Sequence, residues 1–426
     1  MSDKHATAMQ NQAFASVWGA NALTQFASHI TGFALGVYAA TILKVSSFEM
    51  GLLIAGQSLS YLAMSLVCGV WVDRLPPLRV LIWTELGRGG LLAAAASMLV
   101  RDRLHYDFLL ATAVCFGILR VWFDVASATY LPLLLDSHRL VAANSRLSIT
   151  TSVARILGPT LGGVLASAGG FLLAIAMNSA AFVLAAVMLN GVRRRDNNAA
   201  RRHVSRSAWR EMFEGVAFLM NDPRLAALAK RLVLWHCLTG MGQALFVLYA
   251  TQELSMRVGM LGWILGAGGV GCVAGATIVS TLTQRFGSGR VIVRIVLIAS
   301  LTSALIPLAR GSSTTVAVIL AASQFLLGLC ATVYEVSNVS LRQSLTPPHL
   351  LGRVNAATWF LSIGSAAVAA MASGALGQAI GLRPAFTYIV GAGIVLALLG
   401  AFDARVLALR TPSIDEVGTD SRVAPE

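Results

Sequence analysis

The sequence predicts an all-α membrane protein with twelve transmembrane helices arranged as two pseudo-symmetric six-helix bundles. Three observations predict it. The 426 residues are 56% hydrophobic and only 12% charged, with a mean hydropathy of +0.73. So little charge cannot cover a water-soluble chain of this length, whereas a lipid-facing surface needs none. Twelve apolar stretches also reach the roughly 20 residues that cross a bilayer, and the two halves of the chain match one another at a constant offset.

The stretches run at about Phe14–Ile42, Met50–Val72, Val80–Val100, Phe108–Leu131, Leu147–Ala168, Phe171–Val192, Leu225–Thr251, Val258–Leu282, Val291–Ala309, Thr315–Leu341, Val354–Ile380 and Pro384–Leu409. The first is too long for a signal-peptide core and no cleavage site follows it, so it counts as a span. The five cysteines (Cys68, Cys115, Cys237, Cys272, Cys330) all fall inside apolar stretches without C-x-x-C spacing. They read as small core residues, with neither a disulfide nor a metal site implied.

Basic residues orient the chain. With the N-terminus inside, cytoplasmic loops and tails hold 22 of the 32 Lys and Arg. The outside loops hold Lys44, Arg101, Arg103, Arg257, Arg310 and Arg383, while Arg88, Arg120, Arg155 and Arg294 lie within spans. This positive-inside bias puts both termini in the cytoplasm. It also accounts for the net charge of +13 without a nucleic-acid partner.

The longest polar interruption, Arg193 to Arg224, splits the spans six and six. A shift of 211 residues then aligns the halves without a gap: Tyr38 on Tyr249, Gly51 on Gly262, Arg74 on Arg285, Arg79 on Arg290, Asp124 on Glu335, His138 on His349 and Asn144 on Asn355. An old duplication explains one offset held from the first span to the fifth. The expected organisation is a first bundle over 1–192, a cytoplasmic linker over 193–224, a second bundle over 225–410 and a tail over 411–426. Parallel repeats of this kind are a transporter arrangement, with the substrate cavity between the halves near the midplane. Within the linker, Ser207 is an N-cap candidate. Trp209, Met212, Phe213, Val216 and Leu219 then recur at helical spacing up to Pro223, which reads as a short amphipathic helix at the cytoplasmic interface.

The loop after the second span reads GVWVDRLPPLRV. Gly69 permits close helix approach. Asp73 can meet a helix N-terminus or an arginine, and Arg74 and Arg79 follow in the turn, so the loop has the parts of a two-state latch. Here the chain resembles the major facilitator superfamily, whose signature in this loop is Gly-x-x-x-Asp-Arg followed by a basic residue. Pro76 and Pro77 depart from that signature, and the second copy, STLTQRFGSGRV, has Gln284 in place of the acid.

Three further stretches resemble the family's drug-exporter branch of macrolide-efflux and enterobactin-exporter-like proteins: WTELGR in the third span, YLPLLLDSHRLVAANS after the fourth, and Glu214 to Leu219 in the linker. Gly158-Pro159-Thr160-Leu161-Gly162-Gly163 matches the end of the family's antiporter motif, although Ala154 stands where an upstream glycine belongs. The resemblance implies export by antiport, in the cytoplasmic membrane of a bacterial-type cell. It is silent on the substrate.

Four groups of residues are candidates for the work of transport. Glu85, Asp124 and Glu335 are intramembrane acids. Asp124 has Arg120 one turn away, and depth counting at ~1.5 Å per residue puts Arg155 beside it, so an Arg120–Asp124–Arg155 cluster is expected. Glu335 has no basic neighbour on its own helix and is the first candidate for the proton site. Polar stripes at Asn21, Gln25 and His29, and at His236 and Gln243, should face the interior.

The combined reading is a secondary transporter exporting an amphipathic small molecule (a drug, an antibiotic, a siderophore or the cell's own metabolite) by proton antiport. It is no enzyme, uses no cofactor or bound metal, and works as a monomer in the bilayer with the small molecule and protons as partners. An importer or lysolipid flippase on the same fold is the alternative, and a non-transporting scaffold a more distant one. No G-x-x-x-x-G-K-[ST] stretch is present for ATP.

Overall fold

The computed structural model describes residues 2–72, 75–135, 137–193, 208–347, 350–400 and 407. Among these, every long element is a helix: α1 (Ser2–Thr41), α2 (Ser47–Val72), α3 (Pro77–Val100), α4 (Tyr106–Leu134), α5 (Ser137–Arg193), α6 (Ala208–Asn221), α7 (Pro223–Leu248), α8 (Val258–Phe286), α9 (Ser288–Ser303), α10 (Leu305–Leu308), α11 (Ser313–Leu345), α12 (Leu351–Ile380) and α13 (Leu382–Gly400). Eight stretches combine the length and apolarity to cross a membrane: α4, the 142–192 part of α5, α7 with the turn after it, α8, α9 with α10, α11, α12 and α13.

Local chemistry sets the breaks. α5 joins the fifth and sixth expected spans, which separate at Gly169 and Gly170, where φ of +72° at Gly170 interrupts the helix. The ninth expected span divides into α9 and α10 four residues before Pro307, whose ring cannot accept the preceding turn. Pro77 opens α3 as its first residue, where its missing N–H costs nothing. Asp222 caps α7 by accepting from the amides of Arg224 and Leu225. Tyr249–Glu253 continues α7 as a π-helical turn. Residues 401–406 and 408–409 of the last expected span lie outside the described residues.

Within the first repeat α1 packs on α5, α3 on α4 and α5, and α2 on α4; within the second, α7 packs on α12, α8 on α11, and α9 on α11 and α13. Two seams join the repeats, α2 against α12 and α5 against α8. Both seams include close backbone approaches toward the end remote from the N-terminus. A Cβ on Gly51 would lie 2.6 Å from the Ala370 carbonyl oxygen and 3.3 Å from Gly374 Cα. A Cβ on Gly163 would lie 2.9 Å from Gly262 Cα, and one on Gly262 3.1 Å from the Pro159 carbonyl oxygen. These sets correspond under the 211 shift: 51 with 262, 159 with 370, 163 with 374.

At the same end Gln252, in the π-helical turn, donates to the carbonyls of Ala40 and Val45 at 3.2 Å each, tying the second repeat to the first hairpin of the other. The amphipathic linker helix is α6, and it is held down. Glu214 pairs with Arg353 Nη1 at 2.9 Å, Gly215 packs on the Arg353 backbone, and Leu219 is buried in the second repeat's core.

Candidate functional site: the cavity between the repeats

Helices of both repeats enclose a cavity of about 590 Å³. Its wall is mainly aromatic and aliphatic, with Phe33 and Phe116 from the first repeat facing Trp235, Phe246 and Phe386 from the second. Polar groups punctuate it: Ser28, His29, Gln57, Thr239, Gln243 and Gln324. The charged residues of the wall are two arginines, Arg120 and Arg155. A large apolar chamber with few convergent polar groups is how small-molecule sites are built.

The Arg120 guanidinium on α4 lies 3.8 Å from Asp124 through Nε and 6.0 Å from the Tyr61 ring centroid. The Tyr61 hydroxyl also lies beside the Asp124 carboxyl. Arg155 does not complete this cluster. The first half of α5 packs against α1 and α8 and barely meets α4, so the helix turns Arg155 into the cavity, exposed and in no ion pair among the described residues. Counting turns fixed its depth but carried no information about rotation around the helix axis.

Glu335 on α11 is likewise not alone. Its Oε1 is 3.4 Å from His236 Nε2, and the Trp235 indole N–H lies beside the carboxylate. That indole is stacked on Tyr334 at a centroid distance of 4.5 Å. Arg342 and Arg155 act on Glu335 electrostatically. The expectation of isolation came from neighbours along α11, whereas the partners come from α7.

Glu85 and Arg88 form a fully buried pair at 2.8 Å on α3, away from the cavity wall. Arg88 lies 4.7 Å from the Phe123 centroid and 5.2 Å from that of Phe182, and the Thr24 hydroxyl, donated to the Ala20 carbonyl, lies beside Glu85. A pair enclosed by aromatic rings fixes helix packing; removing one partner would strand a buried charge.

Of the expected cavity stripe, His29 and Gln243 line the chamber. Asn21 is buried within the first repeat, Gln25 is half-buried beside the wall rather than in it, and His236 is turned to Glu335. In the latch, Gly69 belongs to α2 and Arg79 is exposed in the first turn of α3, while Asp73 and Arg74 lie outside the described residues. The antiporter-like stretch is a packing surface. Gly158 meets His29, Gly162 meets Phe33, Gly163 meets Gly262, and Pro159 reaches the cavity wall. Gln57, Thr239 and Gln324 went unnoticed in the sequence. Each is a polar residue within an apolar span, which lipid would not tolerate, and that signal would have found them.

A family model described as Major Facilitator Superfamily matches residues 17–356 and, in a second placement over the later half, 232–417. The chain belongs to the Major Facilitator Superfamily. A superfamily relative, the "Uncharacterized MFS-type transporter YfiS" of Bacillus subtilis (strain 168), is 24% identical over 85% of each chain. Among solved structures, a point mutant of the nucleoside transporter NupG has a TM-score of 0.75 at 14% identity, covering 92% of this chain and 100% of that one. A bacterial homologue of the iron transporter ferroportin in its inward-facing state has a TM-score of 0.70 at 16% identity, covering 94% and 99%. A bacterial ferroportin homologue in the outward-facing state, with soaked iron, falls to 0.57 at 19% identity, covering 93% and 98%. This is therefore an MFS-type transporter, a multi-pass membrane protein of a family whose members are generally non-enzymatic carriers.

Proposed function

We propose that this transporter is a twelve-span exporter of an amphipathic small molecule, driven by proton antiport across a bacterial cytoplasmic membrane. In this reading two six-helix bundles, with both termini in the cytoplasm, rock around the central cavity. The glycine seams lie at the outer face, so the conformation is inward-facing and ready to load from the cytoplasm. The better match to the inward-facing than to the outward-facing ferroportin homologue supports this. Asp73, Arg74 and Arg79, with Gly69, would latch the cytoplasmic side in the opposite state. The partial antiporter stretch, Gly158 to Gly163, supports export.

The observation that carries the coupling is Glu335. It is a carboxyl on α11, one turn from the wall residue Ala331, beside the wall residue Trp235 and 3.4 Å from His236. A carboxyl at membrane depth with no arginine in direct ion pair, set beside a histidine and an indole, is suited to take or release a proton as the chamber switches from one water phase to the other. Asp124, its counterpart in the first repeat, is tied to Arg120, which leaves Glu335 as the preferred candidate for the exchangeable site. Glu85, enclosed with Arg88, holds the bundle together. One chain forms the whole cavity, so a monomer suffices.

The test is accumulation of a panel of fluorescent amphiphiles in everted vesicles energised to an acidic lumen, where export from the cell reads as uptake into the vesicle. The wild-type protein should move at least one of them in a gradient-dependent manner, and Glu335→Gln should abolish gradient-driven flux while preserving insertion and substrate-exchange across the membrane. Unchanged gradient-driven flux in Glu335→Gln removes this residue from the coupling. Release from the everted vesicles rather than uptake into them would favour an importer.

A further inference from the structure

The charge of the cavity points to the kind of molecule it holds. Its wall carries two guanidinium groups and is otherwise aromatic, aliphatic or neutral polar. Arg120 is partly answered by Asp124 at 3.8 Å on its own helix. Arg155 is not answered. The two membrane carboxylates that could reach it are engaged elsewhere, Asp124 with Arg120 and Glu335 with His236 and Trp235. Arg155 acts on Glu335, and on His29 opposite, only through the field of its charge. An arginine cannot shed its proton, and a cation in an apolar chamber at membrane depth is costly while it lacks a partner.

We propose that Arg155 is the anchor for an anionic group on the transported molecule, so that the substrate is an amphipathic organic anion, a carboxylate or similar oxyanion on an aromatic or aliphatic body. This deepens, and rests on, the reading of the chamber as a transport site. The planar guanidinium offers paired N–H donors matched to an oxyanion. His29, Gln57 and Gln243 on the same wall can complete its hydrogen bonds, and the body of the molecule lies against Phe33, Phe116 and Trp235. Cationic cargo, metal ions included, would meet two positive charges. Charge accounting adds a consequence: one monoanion leaving against one entering proton carries two positive charges inward, so export draws on the membrane potential as well as on the pH gradient.

The experiment uses the purified full chain and three probes sharing one fluorophore: dansylglycine (anionic), its neutral primary amide, and dansyl-ethylenediamine (cationic). Equilibrium binding in detergent should rank the anion at least about tenfold tighter than the amide, with the cation weakest. Arg155→Gln should erase the preference for the anion while leaving amide binding unchanged, and Arg155→Lys should retain part of it. Thermal unfolding of each variant controls for misfolding. A preference that survives Arg155→Gln, a cation that binds best, or no binding of the anion at millimolar concentration would each overturn the proposal. Flux in proteoliposomes separates the two claims. Arg155-dependent anion binding without flux of any probe counts against transport alone, whereas flux of neutral or cationic probes indifferent to Arg155 counts against the anion site alone.

Discussion

Gly163 of the first repeat and Gly262 of the second meet backbone to backbone: a Cβ on either would stand 2.9–3.0 Å from the other's Cα. No side chain larger than hydrogen fits there without moving a helix. A leucine at 163 overpacks the seam by roughly 1–3 kcal/mol, shifting the closed-to-open balance of this end about 5- to 150-fold toward open. Spin labels at Lys44 and Ile380, in a background with the native cysteines replaced, should report a longer distance population in Gly163→Leu than in the unsubstituted glycine protein. An unchanged distribution would show that the seam does not govern this end.

Gln252 gives a subtler lever on the same end. Its amide is the donor to two carbonyls across the repeats, and replacing it with leucine removes both bonds at a cost of about 1–2 kcal/mol. Gln252→Leu should raise hydrogen exchange in 40–46 several-fold and leave the core of α4 untouched. Exchange that rises uniformly over the chain would mean global destabilisation instead.

The arginines of the cavity should separate in double-mutant cycles. Arg120 and Asp124 form a pair, so Arg120→Gln with Asp124→Asn should show a coupling of about 0.5–3 kcal/mol in thermal stability or transport. Arg155→Gln with Asp124→Asn should be additive within about 0.5 kcal/mol. Significant coupling in the second cycle would restore the three-residue cluster that counting along the helices had implied.

The cap of α7 offers a pH test outside the membrane. The Arg224 side chain and then the amides of Arg224 and Leu225 hold the Asp222 carboxyl below its usual range. A carboxyl depressed in the folded state contributes fully above its unfolded value of about 3.9, and the contribution is lost as pH falls through the lower folded value. Exchange protection at residues 224–226 should therefore be flat near neutrality and drop only in strong acid. Asp222→Ala should raise exchange there about fivefold at neutral pH, in line with a cap worth ~1 kcal/mol. Equal acid sensitivity in both proteins would assign the loss to other groups.

Several features were legible in the residues themselves because they depend on chain-local rules. Hydropathy placed most membrane helices and the boundary between the fifth and sixth spans, and the 211 offset matched the two halves, whereas the break before Pro307 within the ninth span was not anticipated. The side-chain partnerships were not legible in the same way. Arg155 and Asp124 sit at matching depth, yet the azimuth of α5 is fixed by its glycines packing on α1 and α8. Glu335 looked solitary because a search at i±3 and i±4 cannot see α7, where Trp235 and His236 wait. His236 appeared to be a wall residue for the same reason. Periodicity along one helix identifies a face; only the neighbouring helices determine what that face meets.

The correspondence of the two seams has a meaning for ancestry. Position 51 touches 370 and 374, and position 262 touches 159 and 163; subtracting 211 from the larger numbers turns both statements into the same one. An interface in which i meets j and j meets i is the self-complementary surface of a twofold homodimer. A single unduplicated repeat would already have possessed both sides of this joint, and two copies lying side by side in the bilayer would have made it twice. Gene fusion then had only to supply the linker, and later divergence could place an arginine at 155 opposite an alanine at 366, giving an inherited symmetric shell an asymmetric interior.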